Sequence, residues 1–271
     1  MEDSSKLCSD DFARIVARIR DLTGIVIQDH KTEMVRARIS ERVSRLGFKN
    51  FPSYLDFLDG PEGHSEQESF CNALTTNLTS FFREHHHFDH FSHELSRLVG
   101  ANAKKARIWS AGCSTGEEAY SIALLLLRAG VRAAIPDTKV LATDIDSNVL
   151  KIAKRSSYRL SKLSELSVCN GRKLVNIEGE EFRFNEDVRD LIAFKSLNLQ
   201  DSWPMRGKFD VIFCRNVLIY FSAETKANLI CRFEKMLKPN GVLYLGHSEN
   251  LLGDHPKLTN EGPTTYRKLS G

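Results

Sequence analysis

Trp109-Ser-Ala-Gly-Cys-Ser-Thr-Gly-Glu-Glu118 decides the fold. It continues a β-rich run from Arg107 to Ala111 and leads directly into an apolar helical stretch, Glu117 to Ala129, so strand, small-residue turn and helix follow one another without a break. The same alternation recurs downstream. Strands are expected at Lys139 to Thr143, Leu191 to Lys195, Phe209 to Cys214 and Val242 to Leu245, with helices at Ser147 to Lys154 and Ala223 to Leu237. Such alternation builds a parallel α/β sheet. Lys238-Pro-Asn-Gly241 is expected to stop the last helix and start a hairpin. Arg155 to Asp190 fits neither period and is too long for an ordinary connection, which predicts an insertion with its own structure. Lys173 to Phe184, with Gly179 near its middle, is expected to form an antiparallel hairpin there.

Upstream of residue 100 the pattern is helical. Phe12, Ile15, Ile19 and Leu22 recur at helical spacing after an expected cap at Asp10 or Asp11, and Gly24 is a stop; Val35, Ile39, Val43 and Leu46 mark a second helix ending at Gly47. Shorter helices are expected at Tyr54 to Leu58 and, from a cap at Ser65, through Leu74. The resulting division is a small helical domain over 1–75, a helical linker over 76–104, and an α/β domain over 105–271 with the insertion at about 155–190. With 271 residues, 41% of them hydrophobic, the chain can bury cores for more than one domain. Its 38 Lys and Arg against 35 Asp and Glu leave a net charge of +3, too small to argue for nucleic acid. The longest apolar run, Ile122 to Leu127, is far short of the roughly 20 residues of a membrane span, and the acidic Met1-Glu-Asp-Ser-Ser is not a secretory signal. A cytoplasmic location with no membrane insertion is expected. The six cysteines are scattered without a C-x-x-C pair, so neither disulfide staples nor a zinc knuckle is expected.

The turn after the first strand points to a nucleoside ligand. Gly112 and Gly116 let a backbone approach a ligand closely, and Asp144, at the end of the second strand, stands where a doubly wound sheet places the acid that accepts ribose hydroxyls. Glu117 and Glu118 oppose a pyrophosphate, which weighs against a nicotinamide cofactor, and favour a cation. The sulfonium and amino-acid tail of S-adenosylmethionine match that chemistry. One of the two glutamates has an alternative reading, as a complement to the helix dipole.

Five stretches together resemble one family, the CheR chemotaxis receptor methyltransferases. They are Thr75-Thr-Asn-Leu-Thr-Ser-Phe-Phe-Arg-Glu84, Trp109 to Ser121, Ala142-Thr-Asp-Ile-Asp146, Phe213-Cys-Arg-Asn-Val-Leu-Ile-Tyr-Phe221 and Leu245-Gly-His-Ser-Glu-Asn250, in family order. The resemblance implies a Rossmann-like class I methyltransferase sheet with a small inserted antiparallel β-subdomain, preceded by a small all-helical domain. It implies methyl transfer from S-adenosylmethionine to glutamates on the cytoplasmic methylation helices of chemoreceptors, giving 5-O-methyl esters and S-adenosylhomocysteine. By the same resemblance Asn77, Thr79 and Arg83 contact the cofactor from the linker, Glu118 holds its amino-acid part and Asp144 its ribose. Asn198 and Leu199 flank the adenine, Arg215 and Asn216 line the methionine end, and Tyr220 stands beside the reaction centre. Asn77 and Thr79 have an alternative reading as caps of a helix starting near Ser80, and Tyr220 as core.

A glutamate is already ionised at neutral pH, so no general base is expected; alignment is what the protein must supply, with Tyr220 and Arg83 the candidate catalytic residues. Either Arg83 or Arg215 has the paired N–H donors to orient a carboxylate. Arg36, Arg38, Arg42 and Arg45 give the second helix a basic face for an acidic receptor helix, the alternative being a solvated face paired with Glu33 and Glu41. On this reading Arg38→Glu reduces receptor methylation and leaves S-adenosylhomocysteine binding intact. His86, His90 and His93 share a helical face, but no acid or cysteine completes a ligand set, so no metal is expected. By the resemblance the insertion is a site where a receptor's C-terminal peptide adds a strand in some members; Glu178, Glu180 and Glu181 crowd its turn, which favours action independent of that peptide. A monomer is expected. The alternatives are a methyltransferase with another acceptor and a non-catalytic S-adenosylmethionine-binding signalling module.

Overall fold

The computed structural model describes residues 7–101, 103–169, 171–251, 253 and 255–270, so the acidic Met1 to Ser5 lies outside the described residues. Four helices come first: α1 (Ser9–Thr23), α2 (Thr32–Arg45), α3 (Phe51–Asp59) and α4 (Gln67–Leu74). Their apolar stripes close on one another, with Phe12, Ile15 and Ile19 of α1 and Val35, Ile39 and Val43 of α2 packed with Tyr54, Leu58 and Phe70. Gly24 ends α1 in a left-handed conformation (φ 75°), its N–H donating to the Arg20 carbonyl at 2.7 Å. The start of α1 differs from expectation. Cys8 is the cap, its Sγ accepting the Asp11 N–H at 3.4 Å, while Asp10 and Asp11 fall in the first turn, where their charge meets the positive helix end. Ser65 likewise does not cap α4; it closes a preceding 3₁₀ turn, its hydroxyl donating to the Glu62 carbonyl.

After α5 (His85–Gly100) the chain alternates. It runs through β1 (Lys105–Ala111), α6 (Glu117–Arg128), the short α7 (Val131–Ala134), β2 (Asp137–Asp144) and α8 (Ser147–Arg155). The insertion holds β3 (Ser157–Arg159), β4 (Val175–Glu178), β5 (Glu181–Phe184) and α9 (Glu186–Arg189), and the main sheet resumes with β6 (Ile192–Ser196) and β7 (Phe209–Cys214). The last elements are α10 (Ala223–Met236), β8 (Leu237–Leu245), β9 (Leu258–Gly262) and β10 (Thr265–Lys268). The main sheet has the order β6-β2-β1-β7-β8-β10-β9, parallel from β6 to β8 and antiparallel beyond. Every residue of β7 is buried, as a central strand covered on both faces requires. Because the chain winds outwards from β1 to β2 and β6 and then crosses back to β7, the strand order reverses between β1 and β7. Ligands of open α/β sheets bind at the carboxyl ends of the strands at such a reversal.

Lys238–Gly241 is not a free turn: β8 starts directly after α10, and Lys238 Nζ lies 2.7 Å from both carboxylate oxygens of Asp210, beside a register irregularity between Phe209 and Val211. The hairpin that follows is instead β9 with β10, whose polar sequence gave no strand signal. The insertion does form the expected hairpin, with Gly179 at φ 62°, but Ser157–Arg159 adds a third strand in the order β3-β5-β4. This small sheet is fastened to the linker. Phe81 packs edge-on against Tyr158 (5.0 Å between centroids) and Phe184 (5.7 Å), and its N–H donates to the Glu165 carboxylate at 2.8 Å.

Candidate active site

A cavity of about 250 Å³ opens at the carboxyl ends of β1, β2, β6 and β7. Its wall contains all eleven residues expected to bind the cofactor or act in catalysis: Asn77, Thr79, Arg83, Gly112, Glu118, Asp144, Asn198, Leu199, Arg215, Asn216 and Tyr220. Thr23, the last residue of α1, and Ile25 just beyond it also line the wall, so the front helices roof the pocket as well as the linker. Two hydrogen bonds fix that roof: the Val26 N–H donates to the Tyr220 carbonyl at 2.8 Å and Asn198 Nδ2 to the Leu22 carbonyl at 2.9 Å.

The two glycines of the turn are required by the protein's own packing. Gly112 has φ 88°, and a Cβ there would stand 2.3 Å from Val217 Cγ2; Gly116 has φ 97°, and a Cβ would lie 2.9 Å from both Ala153 Cβ and the Tyr158 hydroxyl. Asp144 pins the same turn from below, accepting the Ser114 N–H at 2.7 Å and the Asp146 N–H at 3.0 Å. Each of its oxygens keeps a further lone pair for a ribose hydroxyl. Burial pushes this carboxyl upward, and the amide hydrogen bonds oppose that push.

The two glutamates diverge. Glu117 is buried against the insertion, paired with Lys162 and accepting the Thr115 hydroxyl at 2.6 Å. Glu118 faces the cavity, accepting Ser110 Oγ at 2.7 Å and Arg215 Nη1 at 3.2 Å, and burial pushes its carboxyl up. Arg215 is the centre of this region. Its side chain is 2% exposed, bridges Glu118 to Glu84 (3.1 Å), donates to the Arg83 carbonyl, and lies 5.5 Å above the Phe88 ring.

Three carboxylates that organise the site had no role assigned from sequence. Glu84 sits in a left-handed conformation (φ 60°) and also meets His247 Nδ1 at 3.0 Å and Asn216 Nδ2 at 3.4 Å. Burial pushes its carboxyl up, but Arg215 and His247 outweigh this and hold it at about 2. Asp146 caps α8 and accepts both Thr75 Oγ1 and Asn77 Nδ2 at 2.8 Å. Asn77 and Thr79 cap no helix among the described residues, since α5 begins only at His85; Asn77 uses its amide to tie the linker to the start of α8. The third, Glu249, receives main-chain N–H groups from the turn after β7. Tyr220 is not core: it ends a 3₁₀ turn, half-buried at the cavity wall, and burial raises its phenol so that it stays protonated at neutral pH.

The model of the CheR methyltransferase S-adenosylmethionine-binding domain matches residues 77–267, and that of the CheR all-alpha domain matches residues 10–75. The chain belongs to the CheR methyltransferase family. A probable chemotaxis protein methyltransferase of Rhizobium etli is 40% identical over 252 residues, covering 90% of this chain and 94% of that protein. The chemotaxis protein methyltransferase of Salmonella typhimurium is 41% identical over 260 residues, covering 94% of this chain and 88% of that one; that of Escherichia coli is 39% identical, covering 98% and 93%. S-adenosylmethionine is therefore the methyl donor of this CheR-family enzyme, and S-adenosylhomocysteine the product. The pocket suits them: the lone pairs left on Asp144 fit ribose hydroxyls, and Glu118 at the wall, with Glu84 behind Arg215, supplies negative charge of the kind a sulfonium and an ammonium call for.

The histidines of this CheR chain do not converge as a face. His86 and His93 are exposed, while His90 Nδ1 lies 2.8 Å from the Tyr244 hydroxyl and its Nε2 3.3 Å from Glu261. His87 is fully buried, its Nε2 2.9 Å from Thr264 Oγ1. Among the described residues two groups bring ligand-type atoms together, Glu84 with His86 and His87, and His90 with Glu94 and Glu261. Guanidinium groups already engage these acids: Arg215 takes Glu84, and Arg267 takes Glu94 and Glu261. Both groups read as ion-pair networks.

The basic helix is also redistributed. Arg42 does not belong to an outward face; its Nε lies 2.7 Å from Glu66 Oε1, and Tyr54 donates to that same oxygen at 3.1 Å, a buried brace between α2 and α4. Arg36 pairs with Glu33 at 2.8 Å, as the solvated reading expects. Arg38 reaches to the end of α4, where the linker begins, its Nη1 donating to the Thr75 carbonyl at 2.6 Å. Arg45 is exposed and has no partner among the described residues.

Proposed function

We propose that this methyltransferase esterifies glutamate side chains on the cytoplasmic methylation helices of chemoreceptors, acting as a monomer in the cytoplasm, with a helical domain (1–75) and a catalytic domain (105–271) joined by a linker (76–104) that forms part of the site. The observation that carries the reading is the meeting of linker, β1 turn, β2 acid and β7 turn around one cavity. Transfer of labelled methyl from S-adenosylmethionine to receptor membranes, lost when the receptor's methylated glutamates are replaced by glutamine, tests it. No described helix is long and apolar enough to cross a membrane.

When bound, S-adenosylmethionine supplies an electrophilic methyl group on a sulfonium. The acceptor carboxylate, with a reference pKa of about 4.3, is already ionised, so the protein's task is alignment and exclusion of water. Arg83 and Arg215 divide the work. Both terminal nitrogens of Arg215 are engaged by Glu84, Glu118 and a carbonyl, so it holds the acidic wall in register. Arg83 is half-exposed at the cavity with one Nη1 bond to the Leu78 carbonyl, and its remaining N–H groups orient the incoming carboxylate. The Tyr220 hydroxyl, kept neutral, directs a hydrogen bond at the reacting end. Tyr220→Phe is expected to lower the single-turnover rate on the order of 10²-fold, the cost of a misaligned acceptor, with S-adenosylhomocysteine affinity nearly unchanged. A binding defect with an unchanged single-turnover rate would remove Tyr220 from catalysis.

Arg36, Arg38 and Arg45 remain the receptor-facing charges, and Arg45 gives the cleanest test, because Arg38 also holds the end of α4, where the linker begins. Arg45→Glu is expected to weaken receptor methylation several-fold at low salt, with the deficit shrinking as salt rises and cofactor binding untouched. Equal methylation at all salt concentrations would place the receptor elsewhere. Among the described residues β4 pairs with β5 alone, leaving an edge for a receptor's C-terminal peptide, yet Glu178 and Glu181 flank its turn. Action independent of the receptor tail is the reading retained, and calorimetric titration with tail peptides decides it.

A further inference from the structure

We propose that Glu249 is a positioning residue for methyl transfer, holding the main chain of Asn216 to Ile219 so that Arg215 and Tyr220, at either end of that turn, stand in reactive register. Glu249 is 4% exposed and follows β8, remote in sequence from the turn. Its Oε2 accepts the N–H groups of Gly246 at 2.6 Å and Asn216 at 2.9 Å, and its Oε1 accepts the N–H of Ile219 at 3.1 Å. Three donors thus converge on one side chain, and among the described residues none of them belongs to a lysine or arginine. That arrangement supports a backbone conformation with its own cost. Asn216 has φ 58°, a left-handed geometry that a non-glycine residue keeps only where its surroundings over-determine it. Gly246 presses from the other side: a Cβ there would come 2.6 Å from both Asn216 N and Nδ2 and 2.8 Å from Glu249 Oε2. A carboxylate suits the position where an amide does not, because glutamine would turn an NH₂ towards at least one of the three N–H groups.

The inference rests on the methyl-transfer reading above and is tested with the full chain, using Glu249→Gln and, as a second perturbation that keeps the carboxylate, Gly246→Ala. In the S-adenosylhomocysteine complex, hydrogen exchange at Asn216 and Ile219 is expected to accelerate in both variants while α6 and α10 stay protected. Single-turnover transfer to receptor membranes is expected to fall about 10²-fold, the effect of a misplacement of roughly 1 Å, a larger loss than that of S-adenosylhomocysteine affinity. Because Glu249 acts through Tyr220, the double variant with Tyr220→Phe is expected to lose no more than Glu249→Gln alone. Unchanged exchange at residues 216–219 in a folded variant overturns the inference, and so does full additivity with Tyr220→Phe. A wild-type enzyme that leaves receptor membranes unlabelled counts against the receptor reading instead, and the exchange measurement still decides the role of Glu249. Should Glu249→Gln fail to fold, Glu249→Asp, which keeps the charge but draws it back by one methylene, carries the same expectations.

Discussion

Replacing Arg215 with alanine is expected to abolish measurable methyl transfer and to cost about 3–5 kcal/mol of folding stability, the usual penalty for leaving a buried charge without its partner. The guanidinium stands between two acids that are 11% and 12% exposed, so its loss leaves Glu84 and Glu118 facing one another across a site with little water. Glu84 would then lose the first of the two groups that hold its carboxyl near 2, and its pKa would rise. Arg215→Lys is expected to recover part of the stability and little of the activity, since one ammonium does not span both carboxylates and the Arg83 carbonyl. Denaturant unfolding and labelled-methyl transfer measure the two effects. An alanine variant with wild-type stability would show that the acids are solvated or protonated without Arg215.

Acidification is expected to destabilise the protein through His87, with stability falling by the slope of about one bound proton as the pH drops from 6.5 towards 3. Burial, then Arg215 and His86, push this imidazole down to about 3, with Glu84 working weakly the other way. In the unfolded chain the same ring takes up a proton near its reference value of 6.5. The stabilising effect of the neutral ring is therefore complete above pH 6.5 and disappears as the pH falls towards 3, a total on the order of 4–5 kcal/mol. Glu84, depressed to about 2, adds a loss of the same sign at lower pH. His87→Gln is expected to be less stable at pH 7 but to show a pH slope shallower by about one proton. Parallel slopes in urea unfolding series of the two proteins would place a proton on His87 in the native state.

The site was legible where chemistry sits in short linear runs. Trp109 to Glu118 and Asp144 revealed the sheet and its nucleoside end, and the residues carried over from the family stretches lie around one cavity. Carboxylates that act on the main chain were not legible. Asp146 and Glu249 hold amides and side chains contributed by distant segments, and such partners leave no spacing in the sequence. Arg42 misled for a related reason, since a helical arginine that turns inward to Glu66, 24 positions away, looks the same in sequence as one that faces solvent. β9 and β10 escaped because Leu258 to Lys268 is polar and interrupted by Gly262 and Pro263, so its pairing depends on the edge that β8 offers.

The spread of the cavity wall along the chain has a consequence for synthesis on the ribosome. The helices before residue 75 share a core drawn from the first 75 residues and can compact while translation continues, but the pocket they roof draws on Thr23, Asp144, Asn198 and Tyr220, and its last turn is held by Glu249. Contacts so far apart form late. Cofactor binding therefore arrives as one of the final events of maturation, and a nascent chain halted before β8 would carry most of the site's side chains without the means to hold them together.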